Sequence, residues 1–197
     1  MCGICGFFTF DHSAGQPEFS GSVEQMMYSM PRRGPDDAGQ WGDPEGKLQL
    51  GFRRLAVLDL SPAAHQPMHS PGERSVIVFN GEIYNYLDLR QELASRGWCF
   101  HSHSDTEVLL AALETWGVEA ISRLNGMFAL AWYDRVERRL LLARDHAGIK
   151  PLYYFIEPSG KGIAFGSQYN HLLLTPWGEP GSIRLDVLHL YLRLHHL

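Results

Sequence analysis

The chain has 197 residues, 45% of them apolar, and a formal charge of −5 from 17 Lys and Arg against 22 Asp and Glu. That length suits one large domain or two small ones, and that apolar share supports a substantial core. The acidic balance argues against a nucleic-acid binder and against a polybasic membrane surface. The three cysteines are too few, and odd in number, for a disulfide framework; the first basic residue is Arg32, too late for a signal peptide. No apolar stretch is long enough to span a membrane, and a cytoplasmic protein is expected.

The chain opens Met1-Cys2-Gly3-Ile4-Cys5-Gly6. Removal of Met1 would leave Cys2 with a thiol and a free α-amine on one carbon. The thiol is a strong nucleophile once ionised, with a free pKa of about 8.5. The amine titrates near ~7.7–8.0, which suits a general base at neutral pH. One residue can therefore hold nucleophile and base together. The same segment has the C-x2-C spacing of half a zinc site. No second half follows, because only Cys99 remains, with His101 and His103 near it. No metal site is expected, and Cys5 and Cys99 read as inert core thiols.

Residues 4–10 (Ile4, Phe7, Phe8, Phe10) predict a strand with Cys2 at its head. Ser20 or Ser22 then caps a helix with Val23, Met26, Met27 and Met30 on one face. Arg32-Arg33-Gly34-Pro35-Asp36-Asp37 reads as a charged turn. Strands are predicted at 48–53, 55–60 and 75–79, with Asn80-Gly81 as a turn signal closing the last. A helix over 86–96 ends at Gly97. Ser104-Asp105-Thr106-Glu107 is a capping box with Ser104 at the N-cap. The helix behind it presents Leu109, Leu113 and Trp116 and stops at Gly117. A short helix at 118–124 precedes strands at 127–134, 139–145, 151–156 and 162–167. A final helix starts at Asp186, and its apolar run from Leu188 is expected to pack on a further domain or a second subunit. The order is strands, helices, strands, without regular βαβ alternation. It predicts an α+β layered domain with largely antiparallel sheets.

Arg54, Asn80, Gly81, Glu82 and Asp105 stand at the ends of apolar segments, where a rigid sheet can present them. A guanidinium grips a carboxylate. Carboxylates hold an ammonium. An Asn amide beside a backbone N–H makes an oxyanion hole. An amino acid with a carbonyl on its side chain would satisfy all three, so the residues point to acyl transfer from such a side chain. Taken singly, Asn80-Gly81 is equally a hairpin turn, Arg54 a surface ion-pair residue and Asp105 a helix-dipole complement.

Met1-Cys2-Gly3-Ile4-Cys5-Gly6, Arg33-Gly34-Pro35-Asp36, Asn80-Gly81-Glu82-Ile83-Tyr84-Asn85, Ser104-Asp105-Thr106-Glu107, Gly126-Met127-Phe128-Ala129 and Arg144-Asp145…Gly148-Ile149-Lys150-Pro151-Leu152-Tyr153-Tyr154 run in order from residue 1 to about 170. Together they resemble the class II glutamine amidotransferase domain of glutamine-dependent asparagine synthetases. The resemblance implies a four-layer αββα N-terminal nucleophile hydrolase sandwich. It implies that Cys2 attacks the glutamine amide, with Asn80 and Gly81 stabilising the oxyanion. Arg54, Leu55, Val57, Leu58, Glu82 and Asp105 would bind substrate, while Arg33 and Asp36 would order the loop around Cys2. Lys150, Tyr153 and Tyr154 read as packing and loop-ordering residues.

The resemblance further implies that residues 1–197 form a glutaminase domain lacking its last strands and needing no cofactor. Ammonia would pass to a synthetase domain of the same polypeptide that uses ATP and magnesium; a homodimer is also implied. The chain departs from the pattern at Arg32, where His is common, and at Gly166-Ser167-Gln168, where Ala-Ser-Glu is common. A non-catalytic scaffold on the same fold is the alternative that the residues leave open.

Overall fold

The computed structural model describes residues 1–10, 21–56, 61–175, 177–178 and 185–194. Two antiparallel sheets face each other. The first orders β2 (Asp37–Gly42), β3 (Leu48–Arg54), β1 (Gly3–Thr9), β9 (Gly162–Gly166) and β8 (Tyr153–Ile156). The second orders β4 (Met68–His69), β5 (Ser75–Ile83), β6 (Gly126–Asp134) and β7 (Arg139–Arg144).

Side chains alternate faces along a strand, and here both faces are apolar. Ile4 of β1, Leu48, Leu50 and Phe52 of β3 and Phe165 of β9 meet Val76 and Val78 of β5 and Ala129, Ala131 and Tyr133 of β6 in the inner core. The odd residues of β1 point the other way. Phe7 joins Cys5 against Val23 and Met26 of α1 (Ser22–Tyr28). A 3-10 turn at Tyr169–Leu174 also covers this face, through Leu172 and Leu174. On the far side Ile77, Phe79 and Ile83 of β5 pack on Leu89 and Leu93 of α2 (Tyr86–Ser95) and on Leu109 and Leu113 of α3 (Asp105–Trp116). The four layers are therefore helix, sheet, sheet, helix. A fourth helix, α4 (Leu185–Leu194), leaves Leu185, Leu188 and Leu192 exposed. Among the described residues no helix is long and apolar enough to cross a membrane.

Several expectations change. Asn80-Gly81 is not a turn: β5 pairs with β6 without interruption from Ser75↔Asp134 to Ile83↔Gly126. Gly81 serves that pairing, since a Cβ there would lie 2.3 Å from the Met127 carbonyl oxygen. Residues 55 and 56 are not in a strand, and 57–60 lie outside the described residues. Gly21, in a left-handed conformation, stands at the N-cap of α1, with Ser22 inside the helix and Ser20 outside the described residues. Ser104 does cap α3, accepting from the Thr106 N–H. The return arm of the box differs: Glu107 accepts from the N–H groups of His101 and Ser102 rather than from Ser104. Cys99 is exposed in the loop between α2 and α3.

The inner core sets the spacing of the two sheets. Phe165→Ala should lower unfolding free energy by about 3–5 kcal/mol. Urea denaturation checks this, with the midpoint falling at unchanged slope.

Candidate active site

The rows that build the inner core also build the site. Extending the even row of β1 back from Ile4 reaches Cys2. Extending β3 past Phe52 reaches Arg54, and extending β5 past Val78 reaches Asn80. The odd row of β6 runs back from Ala129 to Met127. All four line one cleft of about 200 Å³ at the end of the sandwich.

Cys2 is held from two sides. The Leu55 N–H donates to its Sγ at 3.3 Å, and Arg33 Nε donates to its carbonyl at 3.0 Å. The Arg33-Gly34-Pro35-Asp36 turn lies directly on β3. A Cβ on Gly34 would come within 2.5 Å of the Arg53 and Arg54 backbone, so only glycine permits this approach. Asp36 completes the turn, its N–H donating to the Arg54 carbonyl and its Oδ2 accepting from the Ala56 N–H at 2.8 Å. Arg33 and Asp36 thus grip the strand headed by Cys2 and the loop that reaches its sulfur. Burial lowers the pKa of the Arg33 guanidinium, and the charge of Cys2 opposes that shift.

Donors converge at the edge of β5. The Phe79 N–H donates to Gln66 Oε1 at 2.6 Å, and the Ile83 N–H donates to Asp105 Oδ2 at 3.0 Å. Backbone groups alternate along a strand, so the Gly81 N–H lies on this same edge, away from β6. Gly81 lines the cleft. Beside it Asn80 is 1% exposed, and its Nδ2 has no partner among the described residues. Buried amide donors are rarely left unpaired. Here the orphan donor stands in the same cleft as the thiol.

The remaining polar groups carry charge. Arg54 is buried and donates to the Ser61 carbonyl at 3.2 Å. Glu82 and Asp105 line the cleft together, as does Leu55. Asp105 is 5% exposed; burial pushes its pKa up to about 6, with the Glu82 charge adding to the rise and the backbone N–H groups of Ile83 and Thr106 opposing it. Val57 and Leu58 lie outside the described residues. Cys2 and Cys5 cannot share a metal, because Cys2 faces the inner core and Cys5 the outer one.

Two cleft residues escaped the sequence reading. Gln66 precedes Pro67 in a segment without a recognisable motif, yet it ties the β5 edge to the Thr106 hydroxyl. Lys150 does order its loop, its N–H donating to Asp145, but it is also buried and lines the cleft. Its basic charge beside Gly148 and Pro151 was the available signal.

A two-sheet sandwich with a thiol at the head of a central strand is the framework of an N-terminal nucleophile amidotransferase. The family model for the glutamine amidotransferase domain matches residues 1–197, and the chain belongs to this family. Asparagine synthetase [glutamine-hydrolyzing] 1 of Bacillus subtilis (strain 168) is 42% identical over 78% of this chain and 24% of its own length. Asparagine synthetase [glutamine-hydrolyzing] 3 of the same strain is 39% identical over 89% of this chain and 28% of its own length. Glutamine phosphoribosylpyrophosphate amidotransferase of B. subtilis shares the fold, with a TM-score of 0.69 at 20% identity over 87% of this chain and 43% of that one. The chain thus spans about a quarter of the length of these synthetases.

A carboxyl whose pKa rises on folding binds protons more tightly in the folded state. Its contribution to stability is therefore greatest below pH ~4 and falls as pH rises to about 6. The loss is on the order of 3 kcal/mol. Asp105→Asn should abolish this component. The stability difference, variant minus wild type, should grow in the variant's favour between pH 4 and 7 in urea titrations.

Proposed function

We propose that this domain hydrolyses the side-chain amide of glutamine through a Cys2 thioester and passes the ammonia to an ATP-dependent amide-forming domain of the same polypeptide. The observation that carries the proposal is the open donor Asn80 Nδ2, next in the chain to Gly81 and in one cleft with the Cys2 thiol. Such a donor stabilises the negative oxygen of a tetrahedral intermediate and has no other evident use there.

In the first step Met1 is removed. It is 56% exposed beside the cleft, within reach of a peptidase. The freed α-amine takes the thiol proton, and the sulfur attacks the amide carbon of glutamine. The carbonyl electrons move to oxygen, which accepts from Asn80 and Gly81. The amine returns the proton to the leaving nitrogen, the C–N bond breaks and ammonia departs. Water, deprotonated by the same amine, then attacks the thioester and releases glutamate and the thiol. Arg54 holds the substrate α-carboxylate, and Glu82 and Asp105 hold its α-amine. Leu55, with Val57 and Leu58, completes the substrate wall. Ammonia consumption belongs to the further domain, which would bring ATP and magnesium. Aspartate is the acceptor that the likeness to asparagine synthetases favours.

Glutamate release from glutamine tests the chemistry. Cys2→Ala should reduce it to background, and Asn80→Ala should lower kcat by about 10²–10³-fold; a Cys2→Ala rate equal to wild type would refute the reading. Asp105 must be ionised to hold an ammonium. The KM for glutamine should therefore rise about tenfold per pH unit below about pH 6. A KM constant between pH 5 and 7 would remove Asp105 from the amine site.

A further inference from the structure

Behind the nucleophile, on the outer face of the first sheet, lies a buried polar cluster with no assigned role. His171 is 0% exposed, and neither of its ring nitrogens has a partner among the described residues. Arg33 Nη2 is buried and likewise without a partner among them. The two groups are neighbours by two independent routes. Gly166 of β9 pairs with Cys5 of β1, and a Cβ on Gly166 would lie 2.7 Å from His171 Nδ1. Two residues along β1, a Cβ on Gly3 would lie 3.5 Å from Arg33 Cδ on the same outer face. Arg33 is also the charge that acts on His171.

Leaving such buried polar groups unpaired is unfavourable. They are not in direct hydrogen-bond contact; a bridging water would pair Arg33 Nη2 with one ring nitrogen of His171. Burial, aided by the Arg33 charge, holds the His171 pKa down to about 4. The ring is then neutral at working pH and keeps a lone pair to accept with. The water accepts from Arg33 Nη2 and donates to the imidazole.

We infer that His171 is a positioning residue for Cys2: through one buried water it fixes the guanidinium of Arg33, whose Nε holds the Cys2 carbonyl. The inference rests on the reading of Cys2 as the nucleophile. It also gives Gly166 a reason, since an alanine there would displace the ring. A merely structural His171 would fill space, and an apolar replacement of matched volume would leave the thiol untouched.

The decisive variant is His171→Leu in the full chain, which keeps the volume and removes both ring nitrogens, with folding checked by thermal unfolding. Two readouts are compared with wild type: glutaminase kinetics, and the iodoacetamide alkylation rate of Cys2 followed on its own peptide. His171→Leu should lower kcat about tenfold or more, with KM within about twofold, because the nucleophile is misplaced while the substrate contacts remain. The alkylation rate of Cys2 should shift by more than about threefold, because a loosened guanidinium no longer holds the Cys2 carbonyl in place. His171→Gln, which keeps an acceptor, should hold both readouts within about threefold of wild type. A folded His171→Leu with wild-type kcat and alkylation rate overturns the inference, as does a folded His171→Gln that loses both. If wild type releases no glutamate, the glutaminase reading fails, while the alkylation comparison still reports on the clamp.

Discussion

The antiparallel pairing of β1 between β3 and β9 is the constraint on which the site depends. The register Gly3↔Arg53 on one side and Cys5↔Gly166 on the other leaves the start of the chain no freedom to slide. A slip of one residue would turn Cys2 to the outer face and Gly3 to the cleft, since strand side chains alternate. The same register would put Cys5 and Phe7 into the inner core and expel Ile4. The apolar residues that stabilise the sandwich thus also aim the thiol. Position and stability share one cause.

Around that fixed point the fold leaves polar groups unpaired or displaced from their usual ionisation. Asn80 is buried with an open donor, and Asp105 is buried with its carboxyl raised to about 6. Each is unfavourable in an empty cleft. On the proposed reading, an oxyanion at Asn80 and an ammonium at Asp105 would make each favourable, which is how a preorganised site differs from a stable core. The turn at Arg33–Asp36 works in the opposite sense. It adds hydrogen bonds at Cys2, Arg54 and Ala56, and it holds the loop whose Leu55 N–H reaches the sulfur.

Much of this was legible because it is local. Alternating apolar residues at 48–53 and the continuous apolar run at 76–79 marked strands, and Gly97 and Gly117 marked helix ends. The Asn80-Gly81 turn signal failed because a nine-residue ladder with β6 overrode local propensity. β2 drew no strand prediction, because its glycines and acidic start lack a strand composition, yet β3 supplies its partner, and the bare Gly39 lets the Gln66 carbonyl approach. Candidate site residues were legible through motif resemblance, not through geometry. Gln66 and His171 were invisible because their meaning lies wholly in long-range contacts. The departure at Gly166 was visible in the sequence, but its physical reason, the ring of His171, was not.

The account stands or falls on Cys2 as an N-terminal nucleophile in a glutamine-binding cleft. Intact mass spectrometry after treatment with an electrophilic glutamine analogue tests this directly. The account predicts a chain lacking Met1 that takes up a single adduct on Cys2, with glutamine protecting against it and Cys99 left unlabelled. A chain that retains Met1 and carries no adduct on Cys2 would contradict it.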